Sequence, residues 1–205
     1  MRRISNVCCG FGKYCLCPKA PPQRKEGNQL NTISTLHAYK RSAALENSTW
    51  YKGILVSQLA GGADTDGAFD FVESKMKKGT EPPPHIHDRE DELFYILAGE
   101  IKVFAGGEVF TVAAGESVFL PKQLPHAYLI QSDECHVLAL MTPGGFLNAI
   151  NKMNAPARAM EIPHDAETYA TADLTPTMAV FLKYGVRMLT PVEIMEKMPD
   201  YPNVR

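Results

Sequence analysis

The stretch Gly79-Thr80-Glu81-Pro82-Pro83-Pro84-His85-Ile86-His87-Asp88-Arg89-Glu90-Asp91-Glu92-Leu93-Phe94-Tyr95-Ile96-Leu97-Ala98-Gly99 decides how this sequence is read. Proline has no N–H for a sheet ladder and restricts the residue before it, so Pro82-Pro83-Pro84 delivers an extended chain to the histidines. Side chains alternate along an extended chain, and His85 and His87 therefore share one face, as two ligands of one ion must. Glu92 lies five residues on, past the polar turn Asp88-Arg89-Glu90-Asp91, and a bend there is needed to bring its carboxylate onto the same face. Residues 92–104 read as one long strand, with Gly99 as a bend or bulge inside it.

Working outward, residues 50–141 are short runs with period-two alternation or solid apolar character, punctuated by turn residues, which is an all-β signature. Residues 50–59 read as a strand closed by the Gly- and Asp-rich turn 61–67. Residues 69–77 read as the next, with two inward faces open: Phe69 and Phe71, or Val72 and Met76. Further strands follow at 109–112, 117–120, 127–130 and 135–141, the last stopped by Pro143-Gly144-Gly145. Strands this closely spaced, with no helix between them, predict a sandwich or a small closed barrel. Beyond Gly145 the period becomes helical, in Phe146, Leu147, Ile150 and Met153 and again in Leu174, Met178, Phe181 and Leu182. Thr175 and Pro176 suit a helix start and Gly185 its stop, while Thr190-Pro191-Val192-Glu193 resembles a capping box.

The 205 residues, 45% hydrophobic and 21% charged, suffice for one well-buried domain with extensions. A formal net charge of -2 gives no general pull toward nucleic acid or anionic lipid. The longest apolar run, 93–98, is far short of the ~20 residues of a membrane-spanning helix. Residues 1–25 differ from the rest, with six of the 21 basic residues, no acid, and four of the five cysteines at Cys8, Cys9, Cys15 and Cys17. Paired C-x2-C spacing is absent and Gly10, Gly12, Pro18, Pro21 and Pro22 interrupt any pattern, so 1–28 reads as a flexible tail rather than a thiolate metal site. Arg2 and Arg3 suit the start of a signal peptide, but 4–11 is too short and polar for its apolar region; a cytoplasmic location with reduced cysteines is the expectation. The division expected is 1–28 tail, 29–145 barrel and 146–205 helical extension packed on the barrel.

His126 comes from a separate hairpin and offers a fourth donor from a neighbouring strand. Three imidazoles and a carboxylate suit one divalent transition metal (iron, manganese, nickel, copper, cobalt or zinc) and suit calcium or magnesium badly. His37, His136 and His164 show no such relation to the other three and read as surface or packing residues.

Gly79, five residues, His85-x-His87, four residues, Glu92, six residues, Gly99 resembles the first signature of the cupin superfamily without a gap. Gly115, five residues, Pro121, then His126 resembles the second, with Gln123 where a glycine is usual and Ile130 where an asparagine is usual. The segment 81–95, together with Thr142-Pro143-Gly144-Gly145-Phe146 and Lys183-Tyr184-Gly185-Val186, is similar to quercetin 2,3-dioxygenase-like cupins. The resemblance implies a double-stranded β-helix (jelly roll) barrel, a homodimer, and His85, His87, Glu92 and His126 as ligands of one metal per chain. In flavonol-cleaving relatives Glu92 would also take the substrate proton, a catalytic role.

If Glu92 points inward, so do Phe94 and Ile96; if His126 does, so do Tyr128 and Ile130. Phe94 and Tyr128 are thus the candidate walls of a substrate pocket. A divalent ion with three neutral imidazoles and one carboxylate keeps net positive charge, which favours an enolate or catecholate. The function expected is a dioxygenase that joins O2 to a flavonol-like or other hydroxylated aromatic or enediol molecule. The rival, which the fold alone does not exclude, is a non-redox cupin: a metal-dependent isomerase or a small-molecule binding module.

Overall fold

The computed structural model describes residues 36–202; the cysteine-rich stretch read as a tail over 1–28 lies outside the described residues. In chain order the strands are β1 (Ser48–Tyr51), β2 (Ile54–Ala60), β3 (Asp70–Lys77), β4 (His85–His87), β5 (Asp91–Ala98), β6 (Glu100–Ala105), β7 (Glu108–Ala113), β8 (Ser117–Leu120), β9 (His126–Ile130) and β10 (Glu134–Thr142). The later segment adds α1 (Leu147–Ile150), β11 (Ala155–Pro156), α2 (Thr175–Lys183), β12 (Val186–Met188) and α3 (Pro191–Lys197). They form two antiparallel sheets, ordered β11-β1-β2-β3-β10-β5-β8 and β12-β4-β9-β6-β7. The fold is the all-β jelly roll that the alternation predicts, with inward residues such as Ile96, Ile101, Val103, Leu120 and Val137 joined in one core. Among the described residues no helix is long and apolar enough to cross a membrane.

Where the structure departs from the sequence reading, backbone geometry gives the reason. Residues 50–59 are not one strand but a hairpin, β1 to β2, turning at Lys52 (φ 47°) and Gly53 (φ 81°). Two successive left-handed residues make the tightest hairpin turn, and lysine is a poor advertisement for one. Residues 92–104 are likewise two strands. Gly99 (φ 85°) sends β5 into one sheet and β6 into the other, and a Cβ there would stand 2.5 Å from the Glu134 carbonyl oxygen, so glycine is required. On β3 the inward face is Asp70, Val72, Ser74 and Met76, which settles the ambiguity against Phe69 and Phe71.

The segment after Gly145 is helical where the period indicated, in α1 and α2. Helix α3 opens with the capping box: Thr190 Oγ1 accepts from the Glu193 N–H at 3.3 Å, and Glu193 Oε2 accepts from the Thr190 N–H at 2.9 Å. It also supplies strands, β11 against β1 and β12 against β4. Two- and three-residue strands are too short for alternation to show. The junction is fixed by Asp70, whose fully buried carboxylate accepts the backbone N–H groups of Gly62, Gly145 and Leu147 at 2.7, 2.8 and 3.0 Å.

Candidate metal centre

Each candidate ligand is aimed by its own strand. In β4 the alternation turns Ile86 outward into a cluster with Phe104, Ala127, Leu189 and Met198, leaving His85 and His87 to face inward together. Strand β9 pairs with β4 so that His126 lies directly opposite His85. The turn after His87 crosses to the other sheet, where β5 brings Glu92 opposite Leu120 on one side and Met141 on the other. That crossing is pinned by three backbone bonds: Asp88 N–H to the Gly185 carbonyl at 2.7 Å, Gln123 N–H to the His87 carbonyl at 2.7 Å, and Leu189 N–H to the Pro84 carbonyl at 2.8 Å. Gln123 has φ 64°, which explains why a glycine is at home in that position.

The four side chains are buried, and one donor atom from each lies within 4.8 Å of all the others. The ring centroids of His85 and His126 are 4.5 Å apart, those of His85 and His87 5.2 Å, and those of His87 and His126 5.7 Å. Every Nδ1 is engaged away from the centre: His85 with the Pro83 carbonyl at 2.8 Å, His126 with the Leu124 carbonyl at 3.0 Å, and His87 with the buried carboxylate of Glu90 at 3.4 Å. A neutral imidazole that donates from Nδ1 has its lone pair on Nε2, so all three rings are set as Nε2 ligands. Glu90 is a site residue that sequence reasoning missed, because an acidic run between two strands reads as a solvated turn.

A cation fits this arrangement. Glu92 Oε2 and His126 Nε2 are buried with no hydrogen-bond partner, although they stand 3.2 Å apart, and a buried polar atom left unpaired demands an explanation. Burial, reinforced by neighbouring His126 and His87, pushes His85 down to about 3, so its imidazole is neutral and able to ligate at ordinary pH. Burial would raise the Glu92 carboxyl, but the facing His87 and His126 outweigh it and hold it at about 2, fully ionised.

The cluster opens on a cavity of about 120 Å³ whose wall is otherwise mostly apolar. Phe94 and Tyr128 both line it, packed edge to face with centroids 5.8 Å apart; the Tyr128 hydroxyl donates to the Met76 sulfur at 3.3 Å. Ile96 and Ile130 are buried in the core and are not cavity walls. The opposite wall is the later segment: Phe146, which meets the His87 ring at 4.9 Å, with Tyr169, Phe181 and Val186. Helical spacing signalled burial of Phe146 and Phe181, but nothing local signals that they close a chamber. Of the remaining histidines, His136 pairs with Glu73 at 2.8 Å, and His37 and His164 are exposed.

The cupin domain family model matches residues 72–143, a span that includes all four clustered side chains. Quercetin 2,3-dioxygenase of Bacillus subtilis (strain 168) is 28% identical over 88 residues, 43% of this chain and 26% of that protein, so the chain spans about a quarter of the curated relative it matches. Among solved structures, an RmlC-like cupin from Shewanella frigidimarina NCIMB 400 aligns with 52% of this chain and 93% of its own, at 20% identity and a TM-score of 0.45. KdgF from Halomonas sp. aligns with 45% of this chain and 81% of its own, at 24% identity and a TM-score of 0.41.

Proposed function

With residues 72–143 forming a cupin domain within an all-β jelly roll, we propose that this protein is a metal-dependent dioxygenase acting on a flavonol-like or other hydroxylated aromatic or enediol small molecule. The observation that carries the reading is the convergence of three imidazoles and one unpaired carboxylate, with His85, His87 and Glu92 of that cluster in the wall of an otherwise mostly apolar chamber. The similarity to a bacterial quercetin 2,3-dioxygenase supports the substrate class. His85, His87, Glu92 and His126 would hold one divalent ion of iron, manganese, nickel, copper or cobalt. When bound, such an ion supplies Lewis acidity and an electronic path between an enolate and O2.

The chain's own residues would do the rest. Glu92 has two carboxylate oxygens, so one remains to accept the hydroxyl proton of an enol as it becomes an enolate. Glu90 holds His87 in the tautomer that presents Nε2. Phe94 and Tyr128 form one aromatic wall for a planar ring to lie against, and the apolar lining excludes water, which strengthens every charge interaction at the centre. The homodimer expectation is supported by an outward apolar strip on β5 and β8, where Leu93, Tyr95, Leu97 and Phe119 are exposed and Leu93 pairs with Phe119.

The test is oxygen uptake by protein loaded in turn with iron, manganese, nickel, copper or cobalt and given a panel of flavonols, catechols and enediols. Substrate absorbance is expected to fall in step with O2. Glu92→Gln is expected to depress turnover more than metal content, because three imidazoles still hold the ion. No uptake with any pairing, together with isomerisation or tight binding of a sugar or keto acid, would overturn the reading in favour of a non-redox cupin.

A further inference from the structure

We propose that the Tyr51 and Tyr169 hydroxyls are a ligand subsite, a second anchoring point in the chamber that receives a hydrogen-bonding oxygen of the molecule held at the histidine and glutamate cluster. The inference rests on the substrate class proposed above and deepens it. Tyr51 ends β1 and Tyr169 lies in the loop before α2, yet both reach the cavity that His85, His87 and Glu92 line. Their hydroxyls are 2.8 Å apart, their rings meet edge to face at 5.9 Å, and both side chains are buried.

Two phenols carry two hydroxyl hydrogens, and the bond between them uses one. The second has no partner among the hydrogen bonds of the described residues. An O–H proton facing apolar walls without an acceptor is a standing cost, which an oxygen of a bound molecule would recover. The Tyr128 hydroxyl, by contrast, is already given to Met76. Burial pushes Tyr51 up to about 12 and raises Tyr169 well above its ordinary value, so both remain neutral donors and the subsite suits a carbonyl or phenolic oxygen rather than a cation. The ligand class that follows has a chelating enol and carbonyl at one point, an apolar planar body, and at least one further oxygen.

Anaerobic titration of the nickel-loaded protein tests this without turnover, using quercetin and 3-hydroxyflavone, which share the chelating group but differ in the other hydroxyls. Quercetin is expected to bind about tenfold more tightly to the native chain, the worth of one hydrogen bond of about 1.4 kcal/mol. In the Tyr51→Phe, Tyr169→Phe double variant that preference is expected to fall to within about twofold. The 3-hydroxyflavone affinity and the nickel content should stay as they were. If the double variant does not fold, Tyr51→Phe alone is expected to cut the preference by about threefold. Equal affinity for the two flavonols in the native chain, or a preference that survives the substitutions while thermal stability falls, would overturn the inference and make the pair a structural latch. Binding of neither flavonol would overturn the flavonol reading and this inference with it.

Discussion

The two sides of the chamber are built under different rules. On one side, β4, β5 and β9 place His85, His87, Glu92 and His126 by strict alternation and direct cross-strand register, and all four fall within the span that matches the cupin family. On the other, Phe146, Tyr169, Phe181 and Val186 come from turns, a short helix and a three-residue strand, all beyond residue 143. On the proposed reading, the barrel side would hold the metal within the span that matches the cupin family, and the later segment would be the part in which this chain specifies its own ligand. Asp70 couples them: it sits on a barrel strand, yet two of its three backbone partners open the later segment.

The sharpest way to break the comparison is to remove ligands from the barrel side only. The His85→Ala, His87→Ala double variant is expected to lose metal by more than tenfold, on the order of what losing two of four donors implies, while remaining folded. Elemental analysis beside circular dichroism checks it, and full occupancy would mean that the cluster is not a metal site. Next in size is the coupling. Asp70→Ala leaves three N–H groups, that of Leu147 buried and those of Gly62 and Gly145 half-buried, without their acceptor and is expected to destabilise by about 3 kcal/mol, lowering Tm by roughly 10 °C. If the later segment depends on this junction, limited proteolysis of that variant should cut first after Gly145, before the barrel is attacked.

The difference between the two sides also explains what was legible in the sequence. Extended chains advertise themselves: Pro82-Pro83-Pro84 forces an approach, His-x-His fixes a shared face, and Phe94 and Tyr128 follow by counting in twos. Lys52-Gly53 hides a hairpin because lysine is uncommon at positive φ, and Gly99 reads as a bend or bulge with nothing in the sequence to say that the chain changes sheets there. Glu90 could not be told from its solvated neighbours, since only burial against His87 separates it from Asp88. Tyr169 belongs to a loop with no period at all, and its hydroxyl partner is 118 residues away.

A smaller effect, confined to the barrel side, is the acid response of protein stripped of metal by a chelator. His85 is held near 3 in the fold by burial and its histidine neighbours, against an ordinary value of 6.5, so unfolding gains a proton and is favoured as pH falls below about 6.5. His87 opposes this. Burial lowers it but Glu92 and Glu90 outweigh burial and raise it, so its contribution is present at low pH and is lost as pH rises through the folded value. Glu92, at about 2 in the fold against an ordinary 4.5, stabilises above 4.5 and loses that contribution as pH falls toward 2. Tm is therefore expected to fall most steeply from about pH 4.5 to 3, where the His85 and Glu92 windows overlap. Glu92→Gln should flatten that part of the profile, and an unchanged slope would place the acid-sensitive group elsewhere.

The smallest expected effect asks whether the later segment melts with the barrel or by itself. Thr190 caps α3 from outside the chamber, and α3 packs Ile194 against the cluster that includes Ile86 and Ala127, which lie on the strands that carry His85 and His126. Thr190→Ala removes the oxygen that accepts the Glu193 N–H and is expected to cost about 1 kcal/mol. If β12 and α3 are continuous with the barrel, as the pairing of Val186 with His87 implies, that loss should appear as one calorimetric transition moved down by about 3 °C, with metal content unchanged. A separate low-temperature transition, with the main one unmoved, would mean that the later segment is a detachable layer. The chamber would then have a rigid metal side and a side that opens on its own, and selection by Tyr169 and Phe181 would occur at closure rather than in a preformed pocket.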